Sequence, residues 1–342
     1  MATRLKSTLR TVVHLFPGQG DFAVSPLVRA IHTHPPVREA VAEVFEHADP
    51  VGAEFGIAPL GPWLLGASPP SGRDLATASV GTAQLALFCS SVAVSRALSA
   101  VGIAPDRVVG VSFGEIAALT SAGAFDIADG ARIACVLAGF LSRCGGGMLL
   151  LGVNEAEASA LMRAVDAPGL ALACVNDPGE TVVSGPSAAV EAVERLARQQ
   201  GLEAARLRLP FLSHHPSLKR EADAFATSIR AIPVGTPRVR VHSAVLGRAY
   251  LRGDDIRRGL ANCLTHPVRL PEVLRGASTP PALLLEAGTG RSLTRNARRT
   301  LPASGATAQA PLADPGFPWR DPRRLHASRP GTSALPLPES SR

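Results

Sequence analysis

The sequence predicts an α/β protein, in which a parallel sheet covered by helices is interrupted by a smaller unit with its own sheet. Three observations support this fold class. Strand-length apolar segments alternate with helix-length segments through the first 146 residues, as in parallel α/β sheets. The order changes to strand–helix–strand–strand–helix–strand between residues 147 and 210. The 342 residues, 46% of them hydrophobic, suffice for one large core with a smaller partner.

The predicted large unit covers residues 12–146 and 211–301, after an N-terminal tail over residues 1–11. It opens with the strand TVVHLF, which ends at a Pro-Gly turn. The next predicted elements are a helix over Val80–Ala100 and a strand over Arg107–Val111. A helix from Phe113 and a helix over Ile127–Leu141 follow.

The predicted small unit covers residues 147–210. Its segments are GMLLLGVN, EAEASALMRAV, LALACVN, ETVVSG, SAAVEAVERLARQQ and LEAARLRLP. This βαββαβ order is that of a ferredoxin-like subdomain. Residues 302–342 are rich in Pro, Ala, Ser and Arg without periodicity, so we expect a disordered tail there.

Composition limits the function classes. Nine arginines against three acidic residues in 291–342 account for most of the net charge of +7. With 4% aromatic residues, a nucleic-acid partner is not expected. The sequence has neither a signal peptide pattern nor an uncharged apolar run of membrane-spanning length, so we expect a cytoplasmic protein without a membrane partner. The five cysteines form no C-x-x-C pair, which predicts no metal site.

A serine between two glycines is the first candidate for chemistry. Residues 110–114, G-V-S-F-G, join a predicted strand to a predicted helix, which fits a nucleophile elbow. Ser112 would sit at the N-terminus of that helix, where the dipole favours negative charge. Its base would normally be one of the nine histidines, and spacing alone selects none. These residues support a serine hydrolase or acyltransferase, with a structural turn serine as the alternative.

Seven ordered segments over about residues 12–295 resemble the malonyl-CoA:acyl-carrier-protein transacylase family, which includes the acyltransferase domains of polyketide synthases. They are HLFPGQG, TAQLAL, VVGVSFGEIAAL, VNDPGETVVSGP, LSHHPSL, THPVRLPEVL and EAGTGRSL. The resemblance implies an α/β-hydrolase-like core with an inserted ferredoxin-like subdomain.

The resemblance also implies roles for individual residues. Ser112 would be the nucleophile and His214 its base, oriented by backbone carbonyls near Cys263 rather than by an acidic residue. Gln19 and the backbone N–H of Phe113 would line the oxyanion hole. Gln84 and Asn176 would bind substrate, and His215 is expected to be exposed. Coenzyme A would be a substrate, and no cofactor is implied.

The sequence departs from the family at three places. Leu137 stands where the family has the arginine that pairs with the malonyl carboxylate, and neither Arg132 nor Arg143 replaces it. Because a carboxylate buried without a cation costs several kcal/mol, we expect an uncharged acyl group against the stripe Ile133, Leu137 and Leu141. Val111 replaces the histidine before the nucleophile. Phe211 and Ser213 belong to the segment F-L-S-H, which stands where acyl-selective members of the family carry Y-A-S-H or H-A-F-H. The segment matches neither motif fully.

Four functions remain open from the sequence. The first is transfer of an uncharged acyl group, such as acetyl or propionyl, between coenzyme A and an acyl carrier protein, for starter-unit selection in polyketide synthesis. The second is hydrolysis of acyl groups on the carrier protein, and the third is ordinary malonyl transfer. The fourth is a degenerate homologue that docks a carrier protein. The implied partners are an acyl carrier protein, acyl-CoA and ketosynthase components of a polyketide pathway.

Overall fold

The computed structural model describes residues 10–165, 167–322 and 324–325. Its strands are β1 (Thr11–Phe16), β2 (Arg107–Gly110), β3 (Gly147–Leu151), β4 (Ala171–Asp177), β5 (Glu180–Gly185), β6 (Ala204–Arg206), β7 (Arg240–Ser243), β8 (Arg248–Ala249), β9 (Val268–Arg269), β10 (Ala282–Glu286) and β11 (Thr307–Gln309). Its helices are α1 (Val24–Thr33), α2 (Pro35–Glu54), α3 (Leu60–Leu65), α4 (Gly72–Thr77), α5 (Thr82–Ala100), α6 (Gly114–Ser121), α7 (Ile127–Leu141), α8 (Glu155–Val165), α9 (Ser187–Gln199), α10 (Lys219–Ser228), α11 (Ile256–Thr265), α12 (Leu270–Ala277) and α13 (Ser292–Thr300).

The larger sheet has the strand order β11-β10-β1-β2-β7-β8. All neighbouring strands are parallel except the edge pair β7 and β8. Successive side chains of β1 point to opposite faces, so Val12 and Phe16 pack in one apolar cluster and Val13 and Leu15 in another. A parallel sheet covered on both faces explains why its central strands β1 and β10 are almost entirely apolar.

The smaller sheet has the strand order β6-β3-β5-β4-β9. Its first four strands and the helices α8 and α9 follow one another in the βαββαβ order that the sequence indicates. The fifth strand, β9, lies outside residues 147–210 and pairs with β4 in parallel. Leu149, Leu151 and Val183 pack beneath α8 and α9, so the other face of this sheet is turned towards the large unit.

The prediction of a disordered tail over residues 302–342 is wrong for the part that the structure describes. β11 pairs with β10 in parallel, and Trp319 is only 5% exposed. The indole Nε1 of Trp319 donates to Pro311 O at 3.1 Å. A strand of three residues is too short to show an alternating apolar pattern. It forms here because it pairs with β10. Residues 323 and 326–342 lie outside the described residues.

The boundary of the predicted N-terminal tail also shifts slightly. Thr11 is already the first residue of β1, where its N–H donates to Pro281 O at 3.0 Å. The side chain of Arg10 donates to Leu325 O at 3.0 Å, so both ends of the described chain meet. Residues 1–9 lie outside the described residues.

One helix of the described chain, α5, is long and apolar enough to pass a length-and-composition test for a membrane span. Its most apolar window is 72% buried inside the protein, and it packs against α2, α6 and α7. The core helix of a soluble protein passes the same test, so α5 is weak evidence for a membrane.

Candidate active site

The turn between β2 and α6 holds Ser112 in a left-handed backbone conformation, with φ of 53°. Few residues other than glycine adopt this region without strain. A Cβ atom at Gly110 would lie 2.5 Å from Glu115 Cα, and one at Gly114 would lie 2.3 Å from Phe16 O. Both glycines are therefore required by close backbone approach, as the elbow interpretation predicts, and the turn presents the serine at the start of α6.

His214 brings an imidazole to this serine from the opposite side. Its Nε2 lies 2.7 Å from Ser112 Oγ, and its Nδ1 lies 2.8 Å from the backbone oxygen of His266. Since a carbonyl oxygen only accepts, Nδ1 carries the proton and Nε2 accepts from the serine hydroxyl. His214 also has a positive φ, of 56°, so two strained residues meet at this point.

Burial keeps the His214 ring neutral. Desolvation lowers the pKa of His214 to about 4, outweighing the hydrogen bond to His266 O, which raises it. A neutral imidazole hydrogen-bonded to a hydroxyl can accept its proton during nucleophilic attack. The carbonyl of His266, three residues beyond Cys263, holds the ring in the required tautomer.

Two amide side chains flank the serine. Gln19, in the 3₁₀ turn Gln19–Asp21 after β1, lines the same cavity as Ser112. Gln84 on α5 donates from Nε2 to Gln19 Oε1 at 2.9 Å. This bond directs the Gln19 Nε2 donor away from Gln84 and leaves it available to a substrate. Gln84 contacts Gln19 and is not among the described residues that line the cavity.

Backbone donors complete the turn. The N–H of Gly114 donates to Val111 O at 3.0 Å, and that of Glu115 donates to Ser112 O at 2.9 Å. The N–H of Phe113 has no acceptor among the described residues, and its ring is buried in the core. A substrate oxygen at the elbow would therefore meet the Phe113 backbone, not its side chain.

A cavity of about 280 Å³ opens at Ser112 and His214 between the large unit and the smaller sheet. One wall is apolar and is formed by Met148, Leu150, Val182, Leu207, Leu209 and Phe211. The other wall is polar and is formed by Asp21, Asn176, Glu180, Ser292, Arg295 and Asn296. Ser213 also lines the cavity, and its Oγ donates to Cys263 O at 3.2 Å.

The polar wall is organised around the carboxylate of Glu180. Its Oε1 accepts from Asn176 Nδ2 at 3.0 Å, and its Oε2 accepts from Arg295 at 2.7 Å. Asn296 Nδ2 lies 3.5 Å from Glu180 Oε1. Arg295 is the single cation among the described lining residues. With Asp21 and Glu180 as the acids and His214 neutral, the cavity carries a net charge of about −1 at neutral pH.

The residue that replaces the family arginine does not reach this cavity. Leu137 is 2% exposed and packs with Ile133 and Leu141 in the core, as an i, i+4, i+8 stripe ordinarily does. The expectation that the acyl end meets this stripe therefore lacks support from the cavity's walls. Arg132 pairs with Glu54, and Arg143 lies over the Phe140 ring at 5.0 Å.

The expectation that His215 is exposed is wrong. The ring is buried, with Nε2 2.8 Å from Gly169 O and Nδ1 2.7 Å from Ser217 Oγ. These two bonds use both ring nitrogens and tie the segment after His214 to the loop before β4. His215 therefore holds the loop and does not face the cavity.

Sequence reasoning missed a buried carboxylate under the elbow. Glu115 on α6 accepts from Ser243 Oγ at 2.6 Å and from the Tyr250 hydroxyl. Burial raises the pKa of Glu115 to about 7. The position of Glu115 directly after the elbow glycine was the one local sign that it belongs to the site. Its partners lie 128 and 135 residues away in the sequence, so local patterns do not reveal them.

This chain is similar to known acyltransferases in sequence. Residues 10–313 match the family model described as acyl transferase domain. The polyketide biosynthesis protein ThaF of Burkholderia thailandensis is 34% identical over 60% of this chain and 18% of that protein. The malonyl CoA-acyl carrier protein transacylase of Haemophilus influenzae is 28% identical over 83% of this chain and 90% of that protein.

Solved structures match over most of the chain. The malonyl CoA-acyl carrier protein transacylase of Coxiella burnetii superposes with a TM-score of 0.80 at 25% identity, over 93% of this chain and 98% of that one. The acyltransferase domain from module 8 of the salinomycin polyketide synthase gives 0.75 at 27% identity, over 93% and 75%. The chain spans less than a fifth of the length of three of its curated relatives.

Proposed function

Since the chain belongs to the acyl transferase domain family, we propose that it moves an uncharged acyl group between coenzyme A and an acyl carrier protein. The acyl group is carried as an ester on Ser112. The single observation that carries this proposal is the line from Ser112 Oγ to His214 Nε2, at 2.7 Å, and on to His266 O, at 2.8 Å.

The chemistry runs in two halves. In the first, Ser112 Oγ attacks the thioester carbonyl while His214 Nε2 takes the hydroxyl proton, and Gln19 Nε2 and the Phe113 N–H donate to the oxyanion. The carbon–sulfur bond breaks, and the leaving thiol receives the proton from His214. In the second half, the thiol of the carrier protein gives its proton to His214, and its sulfur attacks the carbonyl carbon of the Ser112 ester. The ester bond to Ser112 Oγ then breaks, Oγ takes the proton back from His214, and the acyl group leaves as the thioester of the carrier protein.

The charges of the cavity support an uncharged acyl group. A dicarboxylic acyl group would add a carboxylate to a site that already holds Asp21 and Glu180. Arg295, the one cation on the described walls, donates to Glu180 Oε2 at 2.7 Å. A carboxylate on the acyl group would have to share Arg295 with Glu180, and it would be the third carboxylate beside that single cation. A neutral acyl group avoids this repulsion.

Polyketide starter-unit selection is the role we propose for this activity. Relatives that match this chain include proteins named for polyketide synthesis, and this role uses the uncharged acyl group proposed above. In this role the partners are an acyl carrier protein and the ketosynthase components that accept its acyl group.

The test is acyl transfer from propionyl-CoA to a holo-acyl carrier protein, with both proteins followed by intact mass. We expect a propionyl ester on Ser112 and a propionylated carrier, and the Ser112→Ala variant as control should give neither. Free propionate without labelled carrier would indicate hydrolysis. Absence of any Ser112 adduct with all acyl donors would leave only the carrier-docking role and overturn the proposal.

A further inference from the structure

The inner face of the smaller sheet carries leucines that the described part of the chain covers only partly. Leu150, Leu207 and Leu209 are partly exposed and line the cavity that contains Ser112. On β3, the neighbours of Leu150 that face outwards, Leu149 and Leu151, are completely buried beneath α8 and α9. Apolar side chains that converge on a cavity with a candidate nucleophile are typical of a binding site for an apolar group.

The two walls of the cavity differ in what they can bind. The arm shared by coenzyme A and carrier proteins contains two amide linkages, whose N–H and C=O groups need hydrogen-bond partners when buried. Such partners are present on the polar wall, for example Asn176, Ser292 and Arg295. A hydrocarbon chain needs none and gains free energy on the apolar wall.

We propose that the apolar wall of this cavity binds an aliphatic acyl chain longer than propionyl, with Leu150 and Leu209 determining chain-length selectivity. This inference rests on the proposed function and narrows its substrate class to medium-chain monocarboxylic thioesters. The polar wall then receives the amide-bearing arm, and Ser112 lies where the two meet.

The size of the wall fits such a chain. Its residues come from β3, from β5 and from the segment after β6, where Leu207 N donates to Met148 O at 3.0 Å. Adjacent strands are about 4.8 Å apart, so three strands present an apolar surface about 10 Å wide. With carbon–carbon bonds of about 1.5 Å at tetrahedral angles, an extended chain advances about 1.25 Å per bond, so a chain of about eight to nine carbons covers this width.

The experiment compares Ser112 acylation rates at subsaturating propionyl-, butyryl-, hexanoyl- and octanoyl-CoA. Each buried methylene is worth about a fourfold gain at most, and we expect the rate to rise at least tenfold from propionyl to octanoyl. The Leu209→Asn and Leu150→Asn variants should each lower the octanoyl rate at least tenfold and the propionyl rate less than twofold.

The matched control is Leu202→Asn. Leu202 is a partly buried leucine of the same unit, but it packs on the outer face of the sheet and does not line the cavity. Its ratio of octanoyl to propionyl rates should equal that of the unmodified protein.

Two outcomes would overturn the inference. One is a propionyl rate that equals or exceeds the octanoyl rate, a result that leaves the proposed function intact. The other is an equal loss of both rates in Leu209→Asn and Leu150→Asn. Acylation by malonyl-CoA alone would instead contradict the proposed function itself.

Discussion

Acylation of Ser112 should remain fast at pH 5, because the imidazole that serves it is neutral there. With the pKa of His214 at about 4, about 90% of the rings are neutral at pH 5, whereas a pKa of 6.5 would leave about 3%. The expected rate at pH 5 is therefore about nine-tenths of the rate at pH 7, rather than about a twenty-fifth. The assay is the initial rate of adduct formation with a propionyl-pantetheine thioester, which has no phosphate to titrate.

Folding must be followed in the same samples. Burial also lowers the pKa values of His14 and His242 to about 4. A histidine with a depressed folded pKa contributes stability that is present above its unfolded pKa of about 6.5 and is lost as the pH falls towards 4. The fluorescence of Trp63 and Trp319 therefore serves as the control down to pH 5. A rate that halves near pH 6.5 while the protein stays folded would refute the reasoning.

Three further perturbations test the structure. Ser112→Gly should abolish the adduct yet raise the free energy of unfolding by about 1 kcal/mol in a denaturant titration, by relieving the left-handed backbone; a loss of stability would contradict the strain. Gln84→Leu should lower the acylation rate about tenfold without changing KM, by releasing Gln19, and an unchanged rate would exclude that role. Trp319→Ala should cost about 3–5 kcal/mol in the same titration, because its ring packs against Phe317, and an unaffected midpoint would mean that residues 302–322 do not pack.

Elements with strong local patterns were predictable from the sequence. The helix Ile127–Leu141 and the strand Thr11–Phe16 have the predicted bounds, because their apolar spacing and flanking turns are local signals. The two-residue strand β9 and the three-residue β11 were missed. These short strands form because they pair with β4 and β10, which lie elsewhere in the chain. A sequence window of two or three residues carries no information about that pairing.

Some residues of the candidate site were predictable from the sequence, and others were not. Ser112 and His214 were identified from motifs, and the structure brings them together across 102 residues. The acceptor at His266 is a backbone oxygen, which any residue supplies, so side-chain identity gives no clue to it. The pair Glu180 and Arg295 joins β5 to α13 across 115 residues. The stripe at Leu137 was compatible with core or cavity, and only the packing distinguishes them.

We propose that the cavity accepts an uncharged acyl group on Ser112, because its described lining holds Asp21 and Glu180 against a single cation, Arg295. The most direct measurement mixes the protein with equimolar malonyl-CoA and propionyl-CoA and identifies the modified peptide by mass spectrometry. We predict a propionyl ester on Ser112. A predominant malonyl ester on that residue would contradict the proposal.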